Sequence, residues 1–205
     1  MPKLLVGLGN PGETYEHHRH NVGFMALHRI GERYDFAPAR ARQRFQSLWS
    51  KGAIDGVTCL LLWPQTYMNR SGQAVAAVMR YYAIETKDVL VFHDDIDLPC
   101  ASIKVKWGGS DGGHRGLRDI DSHLRTLGGN AYGRVRLGVG RAQASSDKHL
   151  EVRAYVLSAF SKEQKNAMDT LLQAVAEHIP VLVQDSEGDG AGAGTAFIRC
   201  VREAV

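Results

Sequence analysis

Short apolar runs alternate with amphipathic stretches along most of the chain. Lys3–Gly9 is an apolar run ending in glycine, the pattern of a buried strand. Over Arg19–Tyr34, Val22, Ala26, Ile30 and Tyr34 recur at helical spacing. Leu48–Ile54 and Val57–Trp63 flank Asp55-Gly56, which predicts a hairpin, and Pro64 blocks its continuation. Ser71–Tyr82 sets Val75, Val78, Met79 and Tyr82 on one helical face. Val89–Phe92 reads as a buried strand ending at His93-Asp94-Asp95, and Ser102–Trp107 as a more exposed one. A loop with five glycines in nine residues, Gly108–Gly116, precedes Leu117, Ile120, Leu124 and Leu127 at helical spacing, so a helix is expected from Leu117. Tyr132–Val139 is a further strand. Ser161 and Gln164 form a capping box for a helix expected to run to about Val183.

Strands alternating with helices, plus one hairpin, predict an α/β fold: a single-domain three-layer sandwich whose mixed central β-sheet is flanked by helices. Residues 1–184 are expected to form the catalytic domain. Residues 185–205 are expected to be a mobile Gly- and acid-rich segment, Asp185–Gly194, followed by a short terminal helix over Ala196–Ala204.

Composition narrows the classes. Of 205 residues, 44% are hydrophobic and 23% charged, which excludes a disordered chain. The longest uncharged apolar run, Val57–Trp63, is far below the roughly 20 residues a membrane helix needs. The start reads as a first strand rather than a signal peptide. Cys59, Cys100 and Cys200 are scattered and odd in number, which suits a reducing cytoplasm. The net charge of +3 is uneven: residues 101–160 hold 10 Lys/Arg against 5 Asp/Glu, the mark of a polyanionic partner or of a solvated basic face. Lys104, Lys106, Arg115, Arg118, Arg134, Arg136 and Arg141 are the expected phosphate contacts.

Candidate chemistry gathers at strand ends, where α/β sheets place ligands. Gly7-Leu8-Gly9-Asn10-Pro11-Gly12 lacks the third glycine of a dinucleotide fingerprint and instead presents Asn10. His20 begins a helix beside that turn. Thr66–Gly72 sits between a strand and a helix, with Asn69 or Ser71 as a possible cap. Asp94, Asp95 and Asp97 could hold a divalent cation, or one of them could orient a histidine; with no second carboxylate cluster, no metal is assigned. Gly109–Leu117 suits an anion but is not a Walker loop, and no nucleophile elbow occurs. A histidine-activated water is therefore expected rather than a covalent intermediate.

Five segments, Leu5–Gly12 with Tyr15, Arg19–Gly23, Pro64–Gly72, His93–Pro99 and Gly112–His114, stand in the order and spacing of bacterial peptidyl-tRNA hydrolases, which the chain resembles over at least residues 3–160. The resemblance implies a monomeric α/β enzyme that hydrolyses the ester joining a peptide to the 3′ end of tRNA. That reaction recycles tRNA after premature drop-off from the ribosome. The resemblance also implies no cofactor, no membrane and no obligate protein partner. It assigns His20 as the catalytic histidine, Asp94 as the carboxylate orienting it, and Asn10 as recognising the blocked amino end. It places Tyr15, Tyr67, Asn69 and His114 against the peptidyl-tRNA end. Arg115 departs from the family's usual asparagine. It could contact the terminal phosphate, or pair with Asp111 or Asp119. A non-catalytic RNA-binding protein of the same fold is the rival reading; the intact His20, Asp94, Asn10 and Asn69 favour the enzyme.

Overall fold

A computed structural model describes residues 1–141, 148–185 and 190–205. Its strands are β1 (Lys3–Gly7), β2 (Arg40–Arg42), β3 (Ser47–Ile54), β4 (Val57–Pro64), β5 (Val89–Asp95), β6 (Ile103–Trp107) and β7 (Gly133–Gly138). Its helices are α1 (Val22–Arg33), α2 (Ser71–Tyr82), α3 (Arg115–Leu124), α4 (Lys148–Val156), α5 (Lys162–His178), α6 (Pro180–Val183) and α7 (Ala191–Ala204). The strands form one mixed sheet in the order β2-β3-β4-β1-β5-β7-β6. Four of its five inner members, β4, β1, β5 and β7, run parallel; β3 and β2 continue the sheet by antiparallel pairing on one side, and β6 closes the other.

Successive side chains of a strand face opposite ways, so the parallel inner strands are apolar throughout and build two cores. Leu5, Leu61, Leu90 and Phe92 pack with residues of α1, α5 and α7. Leu4, Val6, Leu60, Leu62, Val89 and Val91 pack with residues of α2 and α3. The expected three-layer α/β sandwich is the observed one.

The hairpin forms where Asp55-Gly56 predicts it, with Ile54 opposite Val57 and both turn residues at positive φ (45° and 83°). The capping box of Ser161 and Gln164 is present. Four boundaries differ from expectation. α3 starts at Arg115, two residues early, because the His114 side chain caps it. Leu127 lies beyond α3, whose end is closed by the Leu127 and Gly129 amides donating to the Leu124 carbonyl, with Gly128 and Gly129 at positive φ. The helix opened by Ser161 breaks before Pro180, which has no N–H to donate and takes the first position of α6. α7 begins at Ala191 rather than Ala196, and its Phe197 and Val201 are fully buried. Of the segment expected to be mobile, residues 186–189 lie outside the described residues.

One close approach sets up the site. A Cβ on Gly23 would run into the carbonyl oxygen of Phe92 and the amide nitrogen of Leu8. Only glycine there lets the first turn of α1 lie directly on the ends of β1 and β5. That contact carries the 3-10 turn Arg19–Asn21, just before α1, onto the exit of β5.

Candidate active site

Because β1, β4 and β5 are parallel, their carboxyl ends share one edge of the sheet. The segment after β1 carries Asn10, the segment after β4 carries Tyr67 to Arg70, and β5 itself extends through His93, Asp94 and Asp95. Asn10 is held on three sides. Its backbone N–H donates to Asn21 Oδ1 (3.0 Å), and its carbonyl accepts from Asn21 Nδ2 (2.9 Å). Its own Oδ1 accepts the Met68 N–H (2.9 Å). The bond to Met68 assigns the carboxamide oxygen inward, which leaves the Asn10 NH₂ as the group available to donate. Sequence reasoning gave Asn21 no role. Its only signal was an amide next to His20 in a turn too short to bury one idly.

His20, Asp94 and His114 converge. His20 Nδ1 lies 2.7 Å and His114 Nε2 3.0 Å from the same oxygen, Asp94 Oδ1. Backbone amides fix the tautomer of His114. Its Nδ1 accepts the N–H groups of Gly116 (3.1 Å) and Leu117 (3.3 Å), so its proton is on Nε2 and donates to Asp94. Capping α3 thus aims His114 and occupies the ring nitrogen that could otherwise meet a water. His20 has no such partner: its Nδ1–H donates to Asp94, and no protein group among the described residues bonds its Nε2. That nitrogen can take a proton from water. Burial pushes the Asp94 carboxyl up, but the two histidines overcome this and hold it well below the usual carboxylate range. It stays an anion facing both rings.

His20, Asp94 and His114 each offer one atom within 4.8 Å of the others, a spacing a metal could bridge. The proton inventory opposes it. Both ring nitrogens facing Asp94 carry hydrogens, and freeing His114 Nε2 for a metal would move its proton to Nδ1, where that N–H would face two amide donors. The acidic cluster also divides: Asp95 pairs with Arg136 (2.7 Å) and Asp97 with Arg141, so the three aspartates do not converge on a cation.

Two further residues buttress the site. Arg19 donates to the carbonyls of Ser158 (3.1 Å) and Ala159 (2.8 Å) and to Gln164 Oε1 (2.7 Å), with its guanidinium 4.2 Å from the centre of the Tyr155 ring. It ties the His20 turn to the start of α5. His93 donates from Nδ1 to the Asp94 carbonyl (2.8 Å), while its Nε2 is buried without a partner. Burial, reinforced by any positive charge on His114, pushes the His93 pKa down to about 3. Below its ordinary 6.5 the unfolded chain therefore takes up a proton that the folded chain refuses until about pH 3. Stability falls with pH through that window, by at most ~1.4 kcal/mol per unit. Thermal melts from pH 7 to 4 should show this fall, and His93→Gln should flatten it; parallel slopes would refute the assignment.

The remaining expected residues line the rim. Tyr67 is 63% exposed, and Asn69 is exposed beside it. Tyr15 is half-buried on the turn Glu13–Tyr15 and packs edge-on against His18, with no contact joining it to the three central residues. Arg115 is exposed as the first residue of α3 and has no ion pair among the described residues. The basic block is smaller than its composition implied. Arg134 is buried against Asp121 (3.0 Å), Arg118 pairs with Asp111 (3.3 Å), and Arg136 and Arg141 are paired as above. Lys104, Lys106 and Arg115 alone of the seven expected cations have no carboxylate partner among the described residues.

A family model described as peptidyl-tRNA hydrolase matches residues 4–192. The chain belongs to the peptidyl-tRNA hydrolase family. The peptidyl-tRNA hydrolase of Rhodospirillum centenum is 45% identical over 181 residues, covering 88% of this chain and 75% of that one. That of Nitrobacter hamburgensis is 46% identical over 181 residues, covering 88% and 84%. The crystal structure of peptidyl-tRNA hydrolase from Acinetobacter baumannii superimposes with a TM-score of 0.84 at 34% identity, over 96% of this chain and 94% of that one. Family membership thus extends past residue 160, through α5 and into the start of α7.

Proposed function

We propose that the protein hydrolyses the ester between a peptide, or an N-blocked aminoacyl group, and the 3′ end of tRNA, with His20 as general base. One observation carries the assignment of the base: of the two histidines bonded to Asp94, only His20 keeps a ring nitrogen without a hydrogen-bond partner among the described residues. Water donates its proton to His20 Nε2 as its oxygen attacks the ester carbonyl. The imidazolium that forms is stabilised by Asp94 through Nδ1–H. The oxygen gaining charge in the tetrahedral intermediate accepts from an amide, and the outward NH₂ of Asn10 is the preorganised donor. Collapse of the intermediate expels the ribose oxygen, which recovers the proton from His20. Tyr67 and Asn69 on the rim bind the substrate end, with Tyr67 offering a flat face to a base or to the first residue. Tyr15 contributes from the turn before His20. His114 acts through Asp94 rather than on substrate. The enzyme is proposed to act as a cytoplasmic monomer over one catalytic domain.

Incubation with N-acetyl-aminoacyl-tRNA, following ester loss, tests the reading. Release of free tRNA is expected, and an intact ester after prolonged incubation would overturn it.

Arg115 is assigned to substrate. The alternative partners are taken: Asp111 binds Arg118 and the Gly113 N–H, and Asp119 accepts the Gly72 N–H (2.7 Å). A cation at a helix N-terminus also opposes the helix dipole, so its side chain does nothing for α3. A bidentate phosphate contact near the tRNA end fits its chemistry. Arg115→Asn should raise KM roughly threefold or more at low salt, with kcat within about twofold. Steady-state kinetics at two salt concentrations measure both, and an unchanged KM at low salt rejects the contact.

A further inference from the structure

A second basic surface lies apart from the 101–160 block. Between Asp35 and Asp55 the chain holds Arg40, Arg42, Arg44 and Lys51 and no acidic residue. Arg40 and Arg42 stand on the edge strand β2, and Arg44 on the 3-10 turn Gln43–Phe45 that follows it. The Arg42 guanidinium sits 5.1 Å from the centre of the Trp49 ring and 5.5 Å from that of Phe45. That of Arg44 sits 4.5 Å from the centre of Tyr81. Tyr81, near the end of α2, packs edge-on against Phe45 and Tyr82 and is still 46% exposed. Among the described residues, none of these three arginines has a carboxylate partner.

This is a different arrangement from Arg118, Arg134, Arg136 and Arg141, whose charges are answered by aspartates. Stacking on an aromatic ring engages the flat face of a guanidinium and leaves its N–H edge free. An arginine held this way loses less side-chain freedom on meeting a phosphate, and its forked edge matches two phosphate oxygens. The exposed Tyr81 adds a face on which a base can stack. The surface is also tied to the rim of the candidate site. The Gln65 N–H donates to the Gln46 carbonyl (2.8 Å), joining the Gln43–Phe45 turn to the segment that bears Tyr67, Asn69 and Arg70. Arg70 is itself exposed.

We propose that Arg40, Arg42, Arg44 and Tyr81 form a second RNA-contact surface, which grips the phosphate backbone of the substrate tRNA away from its 3′ end. The proposal rests on the reading of the chain as acting on tRNA. It places tRNA contacts on the β2 side of the sheet as well as on the β6 side, where Lys104 and Lys106 lie.

The test is binding of deacylated tRNA, read by fluorescence anisotropy across a salt series, so that it does not depend on turnover. Arg42→Gln with Arg44→Gln should weaken binding roughly 5- to 20-fold at low salt and flatten the slope of log affinity against log salt by nearly two. Arg29→Gln with Arg33→Gln removes the same charge from α1, where both arginines pair with carboxylates, and should leave affinity within about twofold. Arg44→Gln alone alters an exposed side chain whose one ring contact is Tyr81, and should give a smaller loss of the same kind if the double variant folds poorly. In turnover, the Arg42/Arg44 variant should raise KM for N-acetyl-aminoacyl-tRNA with kcat unchanged, yet hydrolyse a short N-acetyl-aminoacyl-CCA oligonucleotide like the parent. Equal weakening in the α1 control would reduce the effect to net charge. Unchanged affinity would hand the surface to an acidic protein instead. Either result overturns the proposal. Were the parent to bind tRNA but cleave neither substrate, the hydrolase reading would fail while the affinity comparison still decided the surface.

Discussion

His20→Ala lowers kcat for N-acetyl-aminoacyl-tRNA by at least ~100-fold, the lower end of what a general base supplies. Among the described residues the side chain has one hydrogen-bond partner, Asp94, and its other nitrogen is the only one in the central group without a hydrogen bond to protein. Removing it takes away the proton acceptor and leaves the Asn10 donor and the rim in place. Affinity for deacylated tRNA should therefore hold within about twofold, since phosphate contacts come from arginines and lysines elsewhere. Single-turnover rates with anisotropy on the same preparation check both halves. Near-parental turnover would remove His20 from the mechanism, and a large loss of tRNA affinity would recast it as a binding residue.

Asp94→Asn should cost about 100- to 1,000-fold in kcat, through charge rather than shape. The residue is 4% exposed, and one of its oxygens accepts from two imidazoles at once. An asparagine can keep its oxygen on that side and preserve both tautomers. What it cannot do is offset the positive charge His20 acquires as water is deprotonated, because the group facing that charge is buried and no longer an anion. The loss should fall on kcat with KM little changed. His114→Ala is the informative companion. It removes the second donor to Asp94 and the cap of α3 together, so it should lower the melting temperature as well as the rate. A KM effect in Asp94→Asn that outweighs the kcat effect would mean that the carboxylate binds substrate.

Where local chemistry decides, the sequence was readable. Asp55-Gly56 demands positive φ at both positions and closes a hairpin whatever surrounds it. Ser161 and Gln164 cap α5 with their own side chains. Unbroken apolar runs marked β1 and β4, which bury both faces, and helical spacing marked α1 and α2, which bury one. β2 and α4 were missed because neither carries such a pattern: β2 is Arg-Ala-Arg, ordered by pairing with β3 rather than by its own burial. The helix opened by Ser161 was expected to run to about Val183, but Pro180, with no N–H to donate, divides it.

The site divides the same way. The resemblance carried by motifs in sequence order named His20, Asp94, Asn10 and His114, with His20 as the catalytic histidine. What physically separates His20 from His114 as a base was not in the sequence. That choice comes from the Gly116 and Leu117 amides, which exist as a pair of donors only once α3 has formed. Asn21 became the clamp on Asn10 only when the close approach at Gly23 brought the two turns together. Charge was the least readable property. Counting placed the cations at 101–160, but whether an arginine is free depends on what folds beside it. There the tertiary structure paired four of the seven expected cations with aspartates, and on the β2 side it left three arginines without carboxylate partners among the described residues, two of them lying over aromatic rings. Periodicity and turn chemistry are properties of neighbours in the chain, so the sequence alone determined most of the elements and supplied the candidate catalytic residues. Protonation, pairing and exposure are properties of neighbours in space, and only the packed fold decided those.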